Sequence, residues 1–226
     1  MRRRMAAAAV GMVLLMTAGC AATAAPADDD GLYAAGREHH EEFATGLHDV
    51  LMAVDPDTWA VRQGDYGAAP VTCEGGDGYF FHAIREATPQ GADADELVRR
   101  TTEALDRLDL DVTSEVLGAG DDEQRAIVGV GAVFERLAVT IRPATGVVLV
   151  TASSVCGPGS AAALGDLVFA GSTARDQWRL LPATEGPDSV PMFYFPPDGP
   201  VYYDAAGDPV DPQPVVADPP VAPYGG

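Results

Sequence analysis

AIVGVGAVFERLAVTIRPATGVVLVTASSVC, residues 126–156, is the stretch on which the fold class turns. Valine and isoleucine recur there in short runs, divided by residues that favour turns. Leu137, Val139 and Ile141 alternate with small or polar neighbours, as a strand with one buried face requires. Pro143-Ala144-Thr145-Gly146 then makes a tight hairpin into VVLVTASS. The stretch reads as three consecutive antiparallel strands, Ala126–Phe134, Arg136–Arg142 and Gly146–Val155. Leu110–Leu117 adds a fourth, joined to them by the turn GAGDDE at 118–123.

Ahead of this meander the period changes. Phe43, Leu47, Val50, Leu51 and Val54 recur at helical spacing within Leu32–Val54, and Asp55-Pro56 stops that helix. Thr58–Arg62 and Tyr79–Arg85 read as strands, the second through its aromatics and isoleucine. A second helix is predicted over Ala92–Leu108, with Leu97, Val98, Thr101, Leu105 and Leu108 on one face. The order helix, strand, strand, helix, meander predicts an α+β domain over residues 32–170. Its two helices cover one face of a mostly antiparallel sheet.

The chain opens with Arg2, Arg3 and Arg4, followed by an uncharged run from Met5 to Gly19. A spanning helix needs about 20 apolar residues, so residues 1–19 read as a secretory signal behind a positive start. LLMTAGCAA, residues 14–22, ends that signal with small residues before Cys20. This is similar to the lipobox of bacterial lipoproteins, although Thr17 stands where leucine is usual. In that reading the Cys20 thiol is acylated and residues 20–31 form a short leash. Two acyl chains anchor a protein stably where one does not, which would hold the domain at the outer face of the cell membrane. The alternative is an ordinary secreted protein cut near Ala22–Ala25.

The formal charge is -20 over 226 residues. Such a chain is repelled by nucleic acid and anionic lipid, so nucleic acid is excluded as a partner. Every basic residue is arginine, which with abundant Ala, Gly, Pro and Val points to a GC-rich genome. With Cys20 given to lipid, Cys73 and Cys156 remain, and an even pair in an oxidising compartment reads as a disulfide. It would close a loop of about 84 residues, worth roughly 4.5 kcal/mol by chain entropy. The alternatives are two unpaired thiols or a metal pair; Cys73 has no second cysteine or histidine at ligand spacing.

The lipobox, the helix leading into DPDTW at 55–59, a cysteine followed by glycines and an aromatic strand, the amphipathic helix and the last hairpin ending at Cys156 form a pattern. Over about residues 32–157 it resembles the small actinobacterial lipoproteins of the LppA type. The resemblance implies an exported location and a fold, and it supplies no catalytic residue. The long C-terminal part departs from it.

Within 171–226 proline and acidic residues accumulate, and VDPQPVVADPPVAPYGG reads as a solvated tail. Val201-Tyr202-Tyr203 and Pro209-Val210 resemble the arms of a short hairpin with Gly207 in its turn. Phe193, Tyr194, Phe195, Tyr202 and Tyr203 would pack back onto the domain or contact a partner. The proline-rich end would span peptidoglycan or present a binding segment.

Catalytic chemistry finds little support. REHHEE at 37–42 lacks the H-E-x-x-H spacing, and adjacent His39 and His40 project about 100° apart on a helix, so the reading is a solvated helix start. His48 reads as a helix-face residue and His82 as a hydrogen-bonded strand histidine. Ser153 and Ser154 lie in no G-x-S-x-G elbow. CGPGSAAALG at 156–165 has the glycines of a phosphate loop but no lysine. The acidic runs at 28–30 and 121–123 read as solvated loops without EF-hand spacing. No cofactor or metal is expected, and the chain is not expected to be an enzyme. Two functions remain: a non-enzymatic interaction or envelope-assembly module meeting another envelope protein, or a carrier holding a small apolar or glycolipid ligand between helices and sheet.

Overall fold

The computed structural model describes residues 28–62, 67–169 and 184–187. Residues 1–19, Cys20 and the aromatics Phe193, Tyr194, Phe195, Tyr202 and Tyr203 lie outside them.

Helix α1 spans Asp29–Val54. The Asp28 carboxylate accepts the Gly31 amide at 2.8 Å, satisfying one of the donors that a helix start leaves free. The acidic run at 28–30 is therefore the cap and first turn of the helix, and α1 begins inside the stretch expected to be leash. Helix α2 covers Ala94–Arg107, with Asp93 accepting the Glu96 amide in the same way. A third helix, α3 at Ala161–Phe169, takes the segment whose glycines faintly resembled a phosphate loop.

The strands are β1 Trp59–Val61, β2 Val71–Thr72, β3 Tyr79–Phe80, β4 His82–Ala87, β5 Asp111–Leu117, β6 Gln124–Val130, β7 Phe134–Arg142, β8 Val147–Ser154 and β9 Thr184–Glu185. Seven of them form one sheet in the order β5-β6-β7-β8-β4-β1-β9, antiparallel at every junction. β2 and β3 make a separate two-stranded piece. The α+β class, the antiparallel sheet and the disulfide expected from the sequence are all present.

Besides shifts of one to three residues at element ends, the sheet departs from the expected strands in these places. The strand expected at Ala126–Phe134 ends at Val130, and a turn closed by Gly131 N–H to the Phe134 carbonyl (2.8 Å) makes Phe134 the first residue of β7. The strand expected at Tyr79–Arg85 breaks at Phe81, whose amide donates to the Ser154 hydroxyl (3.0 Å) and whose carbonyl accepts the Ser154 amide (2.9 Å). β9 lies within 171–226, the range read as tail, and pairs with Trp59 and Ala60 of β1.

The core follows from the register. Leu137 faces Ala152, Val139 faces Val150 and Ile141 faces Val148, and all six are at most 1% exposed. Burying a large aliphatic side chain of this kind is worth about 1.5–3 kcal/mol. α2 packs on β5, β6 and β7, while α1 packs on α2, α3 and β8. Phe43 of α1 meets Phe81 and Phe134, with ring centroids 6.3 and 5.6 Å apart. Trp59, Leu51, Leu105 and Ile127 close the layer, each at most 1% exposed.

Cys73 and Cys156 are bonded, with Cα atoms 6.1 Å apart and a sequence separation of 83. β4 and β8 lie side by side, so the bond ties the segment before β3 and β4 to the end of β8. Gly78 holds the crossing. Its φ is +92°, and a Cβ there would stand 2.5 Å from the Cys156 sulfur.

Candidate functional site

The histidines resolve first, because they would carry any chemistry. His40 is 1% exposed, not solvated. The buried face of α1 runs Leu32, Gly36, His40, Phe43, Leu47, so His40 stands in the apolar stripe. Its ring lies edge-on to Phe81 at 5.1 Å, and His39 lies edge-on to the same ring at 5.5 Å and against Tyr79 at 5.6 Å. Burial, with the His39 and Arg85 charges adding to it, pushes the His40 imidazole down to about 3. His39 is lowered by burial as well. Both rings therefore serve as neutral aromatic packing.

His82 pairs with Ser153 across β4 and β8, its Nδ1 3.0 Å from the hydroxyl. This is the hydrogen-bonded strand histidine expected from the sequence. Among the described residues no three His, Cys, Asp or Glu side chains gather as metal ligands.

His48 belongs to a different arrangement, which the sequence did not signal. Glu185 of β9 reaches inward and accepts from Arg85 Nε at 2.6 Å, while its other oxygen lies 2.9 Å from His48 Nδ1. Arg85 and Glu185 are 1% and 2% exposed. Burial raises the Glu185 carboxyl, but the bonds to His48 and Arg85 outweigh it and hold the group below the ordinary carboxylate range. A buried pair with both partners present is stable, whereas removal of one leaves a costly charge. The cluster pins β9 to the sheet and to α1. Its only signal in the sequence was a single glutamate, which no local pattern distinguishes.

Two clefts open on the surface. The first, about 890 Å³, lies between the start of α1, the disulfide and the start of α3, with Asp28, Asp29 and Asp77 on its walls. The second, about 410 Å³, has Leu108, Leu110, Val133 and Phe134 as an apolar floor and Glu41, Glu42 and Asp49 as its rim. Leu110 leads directly into β5, the outermost strand. Val116 and Leu117 at the far end of that strand are exposed by 63% and 47%, and Val130 of β6, opposite Asp111 at its start, by 46%. Away from this cleft, buried side chains such as Leu47, Val50, Leu105, Leu137 and Val139 pack between helices and sheet. No described helix is long and apolar enough to cross a membrane.

Of the site residues expected from the sequence, Cys73 and Cys156 come together as the disulfide. Cys20 and the aromatics of 193–203 fall outside the described residues. No family model matches the chain, and neither a curated protein nor a solved structure is significantly similar to it.

Proposed function

We propose that the protein is an exported lipoprotein, anchored through Cys20 at the outer face of the cell membrane, that acts as a non-enzymatic interaction or envelope-assembly module. The observation that carries the reading is the exposure of Val116 and Leu117 on the edge strand β5, while apolar side chains such as Leu47, Val50, Leu137 and Val139 are packed into the core between helices and sheet. Two large apolar residues exposed at the end of an edge strand favour contact with another macromolecule. The disulfide supports an oxidising compartment. The resemblance to LppA-type lipoproteins agrees with that location.

The anchor also sets distances. Cys20 precedes Asp28 by eight residues, so an extended chain places the start of α1 within about 28 Å of the acylated cysteine. The first cleft, lined by Asp28 and Asp29 at that start, would lie within the same reach of the lipid surface, which favours the second reading, a carrier for a small apolar or glycolipid ligand.

Native mass spectrometry of the full-length protein, extracted from its own membrane in mild detergent, tests both. The proposal expects an acyl mass on Cys20 and no small molecule retained. A defined ligand adduct overturns it in favour of the carrier; an unacylated secreted form removes the anchor.

A further inference from the structure

We infer that the outer edge of β5 is a strand-addition site for an extended segment of a partner protein that carries alternating basic side chains; the inference rests on the interaction reading above. In an antiparallel pair, alternate residues turn their N–H and C=O groups away from the neighbouring strand. Among the described residues β5 has β6 on one side and no strand on the other, so it presents a row of such groups along seven residues.

Edges of this length are commonly blunted by proline, lysine or a bulge. DVTSEVL contains no proline or lysine, its only charges are the carboxylates of Asp111 and Glu115, and its register with β6 runs unbroken from Asp111 opposite Val130 to Leu117 opposite Gln124. The apolar side chains a partner strand would cover are already there. Val116 and Leu117 of β5 are two of the four large hydrophobic residues exposed among those described.

Charge selects the occupant. Asp109, Asp111, Glu115, Asp121 and Asp122 are all exposed on and beside the edge. The nearby cation, Arg125 of β6, is engaged by Asp95 and Glu123. A second copy would bring the same carboxylates and be repelled, whereas a strand with arginine or lysine at alternate positions is steered in and held by main-chain pairing.

The test uses the full chain and two synthetic peptides of equal charge, Arg-Val-Arg-Thr-Arg-Val-Arg and the same peptide with proline for its threonine. Hydrogen exchange is read by residue. At a peptide concentration of about ten times its Kd, the outward amides of 111–117 are expected to exchange about tenfold more slowly, with little effect from the proline peptide. Glu115→Arg should weaken that protection. Val116→Lys with Leu117→Lys should do the same, with unchanged β6 and β7 exchange confirming the fold.

Failure of the first peptide to slow these amides overturns the inference, as does equal protection by both peptides. A free protein that is already a dimer with protected β5 amides overturns it in favour of a second copy. Protection confined to other residues removes the edge assignment but leaves the interaction reading standing, whereas a retained small ligand in the mass measurement removes the reading itself.

Discussion

The two flanks of the sheet are built in opposite ways. β5, β6, β7 and β8 follow one another in sequence and in space, each pair closed by a short turn. β4, β1 and β9 come from scattered parts of the chain and meet at the other side. The sequential flank needs only local contacts, whose loop-closure cost is small. The assembled flank is tied by a disulfide across 83 residues and by a buried carboxylate bonded to partners 100 and 137 residues away. Long-range ties are found where sequence proximity gives no help, whereas among the described residues the sequential flank ends in the seven-residue edge strand β5.

Removing the disulfide should break the contrast most severely. Cys73→Ala with Cys156→Ala is expected to cost about 4.5 kcal/mol in urea unfolding. In hydrogen exchange, β4 and β1 should lose protection ahead of β6 and β7; equal loss across the sheet would show that the flanks do not differ. Next comes Glu185→Ala, which leaves Arg85 buried without its nearest carboxylate and should cost about 3 kcal/mol. The double variant Arg85→Leu with Glu185→Leu should regain most of that loss, and a double variant as unstable as the single one would contradict an ionic origin.

Acid sharpens the comparison further. His40 is held near 3 against an ordinary 6.5, so the unfolded chain takes up a proton that the folded chain refuses. Stability should be fully present above pH 6.5 and fall as the pH drops toward 3, by up to about 1.4 kcal/mol per pH unit. His39 adds in the same direction. Below 4.5 the lowered Glu185 carboxyl adds its own loss. His40→Phe should flatten the upper part of a pH series of urea midpoints. The smallest effect belongs to the open edge: Val116→Lys with Leu117→Lys should change stability by less than about 0.5 kcal/mol, since both side chains already stand in solvent.

What was legible in the sequence divides along the same line. α1, α2 and the meander announce themselves through periodicity and turn residues, all local signals. The disulfide follows from counting cysteines. β9 escapes because two residues carry no period, and its pairing with β1 is decided more than a hundred residues away. α3 escapes because AAALGDLVF is too uniformly apolar and small to show a stripe. His40 was legible in principle: four residues after Gly36, three before Phe43 and seven before Leu47, it sits on the buried face of α1. Its polar neighbours Glu38, Glu41 and Glu42 hid that alignment. The open edge could not be foreseen, because strand order determines which strand is outermost.

The position of Glu185 also orders events in time. A chain that emerges from its amino end delivers α1, β1, β4 and the whole meander before Thr184 and Glu185 arrive. Until then Arg85 lacks the carboxylate of Glu185, and β1 lacks its pairing with β9. Completion of the domain therefore waits on nearly the last described residues, so an interrupted chain would carry a visibly unfinished flank. Such a late closing step gives quality control a structural difference to act on, between molecules made to the end and molecules that stopped short.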